Sequence, residues 1–172
     1  VDARALITSG IPVFSGVGIY GFGGGAWYNM RREGEPTSIA PTGSDERTTT
    51  ASTGSAGSTN SGARYIPTYS PSGETFGCYA SITIGTYPSP NAFNCDVRLE
   101  VQFVGGGIHE IRLRGDGWMM AGLLERASAP IRLTADISYN FPARTFHGDF
   151  GVSVRLEAVT ATGRMVTHFA PD

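Results

Sequence analysis

Lysine is missing altogether: all 13 basic residues of this 172-residue chain are arginines. That excludes a Schiff-base lysine, a P-loop lysine and the lysine of a Ser-x-x-Lys nucleophile. Arginine offers a planar, bidentate, permanently charged group, though an arginine-favouring codon usage would leave the same mark. Charge of either sign is scarce, at 16% of residues against about 25% in ordinary domains. The formal net charge of −2 provides no basic field for nucleic acid or an anionic membrane. No apolar run approaches the roughly 18 residues of a membrane helix, and no secretory signal pattern opens the chain. The partners expected on these grounds include no nucleic acid and no membrane span.

Catalytic signatures are absent too. There is no G-x-S-x-G, no Walker sequence and no calcium loop. His109 and Glu110 begin an H-E-x-x-H pattern, but Leu113 stands where the second histidine belongs. His147 and Asp149 share one side of an alternating segment, as two metal ligands would, and His168 comes near the end. Three histidines on three strands suit structural roles better than a closed metal site, which requires three or four converging groups. Serine and threonine are abundant, and no motif singles one out. The expectation is no catalytic residue, no cofactor and no metal.

Only two cysteines occur, Cys78 and Cys95. They could form one disulfide in an oxidising compartment. If their segments form a hairpin, Cys78 lies at the far end of its strand and Cys95 near the turn, beyond disulfide reach. Two separate, partly buried thiols are the favoured reading.

Glycine, serine and threonine take the place of charge, as in a turn-rich β protein. The stretch "GIYGFGGGAWYNM" (18–30) sets Gly21, Gly23 and Ala26 on the G-x-G-x-x-G/A spacing of a dinucleotide site. Such a site needs a helix after the turn and a crossover to a second parallel strand. Here "WYNMRREGEP" allows two helical turns at most before Gly34 and Pro36. The spacing is chance, and Gly21 to Gly25 read instead as a bulge or sharp bend where two backbones approach closely.

Residues 42–64, "TGSDERTTTASTGSAGSTNSGAR", carry no apolar side chain larger than alanine and form a low-complexity loop or linker. It separates an N-terminal β segment (1–41) from a main body (65–172). In that body period-2 alternation dominates. Val97, Leu99, Val101 and Phe103 alternate with Arg98, Glu100 and Gln102, and similar runs occupy 108–114, 131–141 and 145–158. These are amphipathic strands with one face in a core and one face wet. Strands are expected near 12–20, 26–32, 76–86, 97–104, 108–114, 118–124, 131–141, 145–158 and 164–169. Asp116-Gly117, "GGG" (105–107), "PAR" (142–144) and "TATG" (160–163) read as tight turns. The fold class is all-β: an antiparallel meander forming a β-sandwich or barrel.

Trp118, beside the expected Asp116-Gly117 turn, and Tyr87, in the Pro-rich loop 86–94, are the aromatics placed to stack on a sugar ring. The polar face carries both signs. Arg112 and Arg114, with His147 and Asp149, are candidates for a docking surface where arginine is favoured.

The motifs "GFGGGAWYNM", "TYPSPNAFN", "RTFHGDF" and "MVTHFAPD" resemble an interior region of very long, functionally uncharacterised bacterial proteins. The start at Val1 and the stop at "THFAPD" likewise read as a piece of something longer. The resemblance implies a module of a large exported or particle-associated protein and carries no site residues; the location is left open, with an extracellular or cell-surface one favoured. The leading expectation is a non-enzymatic structural or interaction module whose partners are other subunits or neighbouring modules of the same chain. A carbohydrate-binding β-sandwich is the alternative. A hydrolase with a site in loops 86–94 and 142–149 is the third reading.

Overall fold

The computed structural model describes residues 1–33 and 68–171. The 42–64 loop and the boundaries beside it lie outside the described residues. Eight strands follow one another: β1 (Asp2–Phe14), β2 (Val17–Glu33), β3 (Thr68–Thr86), β4 (Phe93–Val104), β5 (Gly107–Met119), β6 (Ile131–Asn140), β7 (Thr145–Leu156) and β8 (Val159–Phe169). One 3-10 turn, Arg126–Ser128, interrupts the β5–β6 connection. Each strand pairs antiparallel with its sequence neighbours, so the order in the sheet is β1 to β8 without a crossover. The expected all-β antiparallel meander is therefore what forms, as one sheet that is not closed into a barrel. Strand lengths of 10 to 19 residues exceed the common five or six.

Local chemistry accounts for the hairpins. Gly105 and Gly106 both take positive φ, at 57° and 82°, the requirement of a two-residue type I′ turn. That matches the turn expected at 105–107. Two other expected turns lie inside strands. Asp116 pairs with Asp96 on one side and Thr134 on the other, and Gly117 with Cys95 and Leu133. With a ladder on both sides, Asp116-Gly117 stays extended, and β5 runs through it to Met119. The segment 118–124, expected as a strand, leaves the sheet at Met120, whose φ is 61°. Residues 160–163 likewise belong to β8, and the reversal falls at Glu157-Ala158.

The glycine cluster is strand interior, not a bend. Gly21, Gly23, Gly24 and Gly25 pair with β1 on one side and β3 on the other. The irregularity lies beside them, where Tyr20 bulges between Ile19 and Gly21. What the glycines provide is room. A Cβ on Gly25 would overlap the ring of Tyr79, and one on Gly23 would lie 2.8 Å from Ser81 Oγ. Reciprocally, a Cβ on Gly77 would overlap the indole of Trp27. Aromatic rings covering glycines across a strand pair in this way pin its register.

Because cross-strand partners share a face, the register sorts the side chains into two sets. One face carries Cys78, Val101, Ile111, Tyr139, Phe146 and Phe169 in a single row across β3 to β8. Next to it runs Ala80, Leu99, Leu113, Ile137, Gly148 and Thr167. The other face carries Tyr79, Glu100, Arg112, Ser138, His147 and His168, then Ser81, Arg98, Arg114, Asp136 and Asp149.

The alternation expected from sequence is present, but the sheltered face is the opposite one. Leu113 keeps 41% of its surface exposed, whereas the side chains of Arg112 and Arg114, on either side of it, keep 17% and 18%. Phe22, Phe76, Leu99, Leu133, Val152 and Met165 are exposed as well. The buried apolar residues among those described are only Tyr20, Trp27, Ala121 and Ala129, while Thr75, Thr83, Asn94 and Ser153 are buried polar groups. No second layer covers the apolar face among the described residues.

Candidate functional site: an ion-paired face opposite an exposed apolar face

The charged face is built from side chains that adjacent strands bring together. On β6, Asp136 accepts from Arg112 Nε at 2.7 Å and Arg112 Nη2 at 2.8 Å, and from Arg114 Nε at 3.0 Å. On β7, Asp149 accepts from Arg164 Nε at 2.9 Å and Nη2 at 2.6 Å. Such bidentate pairs are directional and stronger than neutral hydrogen bonds.

Asp96 on β4 is the hub of a second cluster. It accepts from Arg126 through Nη1 at 2.9 Å and Nη2 at 3.0 Å, from Arg4 Nη2 at 2.8 Å and from Thr83 Oγ1 at 2.7 Å. Arg126 also donates from Nε to Asn94 Oδ1 at 2.7 Å, and Asn94 Nδ2 donates to the Ala121 and Pro90 carbonyls at 2.7 and 2.9 Å. The β5–β6 connection is thus folded back onto the charged face and held there.

The Arg4–Asp96 pair reports the shape of the sheet. Arg4 lies on β1 and Asp96 on β4, three strand spacings apart, or about 14 Å on a flat sheet. Their tips meet at 2.8 Å because the sheet curls toward the charged side. Between them Gly21 and Gly23, which share that face, place no side chain in the path of the guanidinium.

Five of the six candidate residues lie on this face, four of them close together. Arg112 and Arg114 share Asp136, and Asp136 and Asp149 are cross-strand partners. His147 lies opposite His168, ring centroids 5.9 Å apart. Trp118 is on the same face near the other end of β5, half-buried, with the Arg126 guanidinium 4.1 Å from its ring centroid. It stands inside a strand, not at a turn, and one of its faces is already occupied. Tyr87 alone stays apart, exposed in the β3–β4 loop. Among the described residues, no group of three or more His, Cys, Asp or Glu side chains is placed to hold a metal ion. Cys78 and Cys95 are both free.

Sequence reasoning missed Asp96, Asn94, Arg126, Arg4 and Tyr20. The alternation that starts at Val97 continues back through Cys95 and Phe93, which would have placed Asp96 and Asn94 among the polar positions. Arg126 and Arg4 had no such signal, since one sits in a connection and the other in an irregular strand.

No helix among the described residues is long and apolar enough to cross a membrane. No protein-family model, curated protein or solved structure matches the chain.

Proposed function

We propose that this chain is a non-enzymatic structural module that assembles, edge to edge, with neighbouring modules of a larger bacterial exported or particle-associated protein. The observation carrying this reading is the pair of open edges. β1 and β8 each pair on one side only, leaving edges of 13 and 11 residues. Long unpaired edges are templates for another chain, and native proteins normally blunt them. Pairing there would satisfy the free backbone groups and extend the sheet. The ion pairs on the curled face support the reading too, because Asp96, Asp136 and Asp149 are held by arginines rather than left open to a substrate.

Amide hydrogen exchange together with light scattering tests it. The expected result is a species larger than one chain, with β1 and β8 amides protected as well as those of the central β4 and β5. A strictly monomeric chain whose β1 and β8 amides exchange freely would overturn it.

A further inference from the structure

We infer that the exposed apolar face is a lipid-facing surface, seated against the hydrocarbon of a bilayer. The inference rests on the edge-to-edge reading above, because open backbone edges cannot stand in hydrocarbon without partners.

The first support is the inversion of the usual burial. A sheet that curls in water to make a core places its apolar side chains inside the curl. This one curls around Arg4, Asp96, Arg112 and Asp136 and turns Leu99 and Leu113 outward. Apolar out and polar in is the pattern of strands that cross a membrane as a barrel.

The second is charge. Across β4 to β8 the outward set, for example 93–101 on β4 and 111–119 on β5 at every second residue, contains no Asp, Glu, Arg or His. A partner protein would meet no ionic group with which to set its register, whereas hydrocarbon asks for none. The extents agree as well. The outward positions run over 111–119 on β5, 131–139 on β6 and 146–154 on β7, inside the about 9–11 residues a tilted strand needs to cross hydrocarbon.

The third is the rim. Tyr28, Phe76 and Phe103 stand side by side at one end of this face, and Tyr139, Phe146 and Phe169 continue the border. Aromatic residues gather where a barrel wall passes from hydrocarbon to headgroups. In mid-face Gly115, Gly117 and Ala135 leave a depression of about 630 Å³ with an almost wholly apolar lining, which suits a flexible acyl chain. The lack of a long apolar helix among the described residues bears on helices and leaves strands untouched.

The test is depth-dependent quenching in phosphatidylcholine vesicles. In a Cys78→Ser, Cys95→Ser background of the full chain, Leu113→Cys and Ser138→Cys each carry an environment-sensitive fluorophore. Val152→Cys and Thr134→Cys form a second outward and inward pair in case the first perturbs folding. The expected result is co-flotation with the vesicles and several-fold stronger quenching by brominated phosphatidylcholine at 113 and 152 than at 138 and 134. Failure to float, or equal quenching on both faces, overturns the inference. Labels at 113 and 152 shielded from brominated lipid and from aqueous iodide alike, in a multimer, overturn it while leaving edge assembly standing. Strong outward quenching in a chain that stays monomeric with β1 and β8 amides protected upholds the lipid surface and replaces assembly between modules by pairing of the chain's own two edges, whereas freely exchanging edges overturn the seating in hydrocarbon.

Discussion

The indole of Trp27 on β2 lies directly over Gly77 on β3, its cross-strand partner, and fills the space a side chain there would need. Two residues away the relation is reversed, with Tyr79 over Gly25. Trp27 is 7% exposed, one of the few apolar groups fully sheltered in the sheet. Adding a methyl at Gly77 forces the ring off its seat, and overpacking of that kind costs about 1–3 kcal/mol. Trp27→Ala is expected to cost about 3 kcal/mol. In the Trp27→Ala background, Gly77→Ala should become nearly neutral, a coupling of about 1 kcal/mol or more between touching sites. Denaturant midpoints of the two single variants and the double variant measure it, and strict additivity would refute the contact's importance.

The hub at Asp96 differs from the pair at Asp149 in its surroundings. Asp96 is bonded to Arg126, Arg4 and Thr83, and the Arg126 side chain is only 15% exposed. Arg164, which holds Asp149, is 53% exposed. Removing one partner of a sheltered pair strands the other, so Asp96→Ala is expected to cost about 2 kcal/mol, between the surface and the fully buried cases. Arg164→Ala should cost clearly less, and that smaller loss should fade in high salt. Unfolding curves at low and high ionic strength separate the two, and equal, salt-sensitive losses would refute the ranking.

How far the sequence alone reached follows from what period-2 alternation encodes. It tells which residues share a face, and Val97, Leu99 and Val101 do share one, opposite Arg98 and Glu100. It does not tell which way a sheet curls. That depends on Gly21, Gly23 and Gly25 clearing one side of β2 and on Arg4 reaching Asp96 across it, both relations between distant segments. Aspartate followed by glycine is a turn signal only where the chain has no ladder to join. Asp116 and Gly117 have one on each side, so tertiary pairing overrode local preference. Arg112, Arg114, His147 and Asp149 were legible as one polar face because they alternate with large apolar residues. Arg126 was not, because its position in the β5–β6 connection has no period.

Tyr20 and Gly10 make a second dependent pair, at the bulged end of β2. The Tyr20 hydroxyl donates to the carbonyls of Thr86 at 2.7 Å and Pro88 at 3.2 Å and ties the β3–β4 loop to β2. Gly10 has φ of 64°, and a Cβ there would stand 2.6 Å from Tyr20 Cε1. Gly10→Ala meets both a left-handed backbone and the ring, so a loss of about 2 kcal/mol or more is expected. Tyr20→Phe keeps the ring and forfeits only the hydroxyl, about 1 kcal/mol, with faster amide exchange in 86–94 as its specific mark. Unchanged exchange in that loop would show that the hydroxyl does not hold it.

The two cysteines supply a prediction that requires no substitution. Cys78 is the partner of Val101, and Cys95 of Ile84, on the adjoining strands β3 and β4. Both thiols therefore point from the apolar face, but they stand at opposite ends of the shared ladder, about 20 Å apart along the strands. A disulfide needs Cα atoms within about 7 Å, and closing that gap would unpair most of the β3–β4 ladder. Under mild oxidant the folded chain should keep two titratable thiols and show no mobility change on a non-reducing gel. Both should react with a maleimide after denaturation. An intramolecular disulfide formed without loss of β-sheet signal would show that β3 and β4 pair in another register.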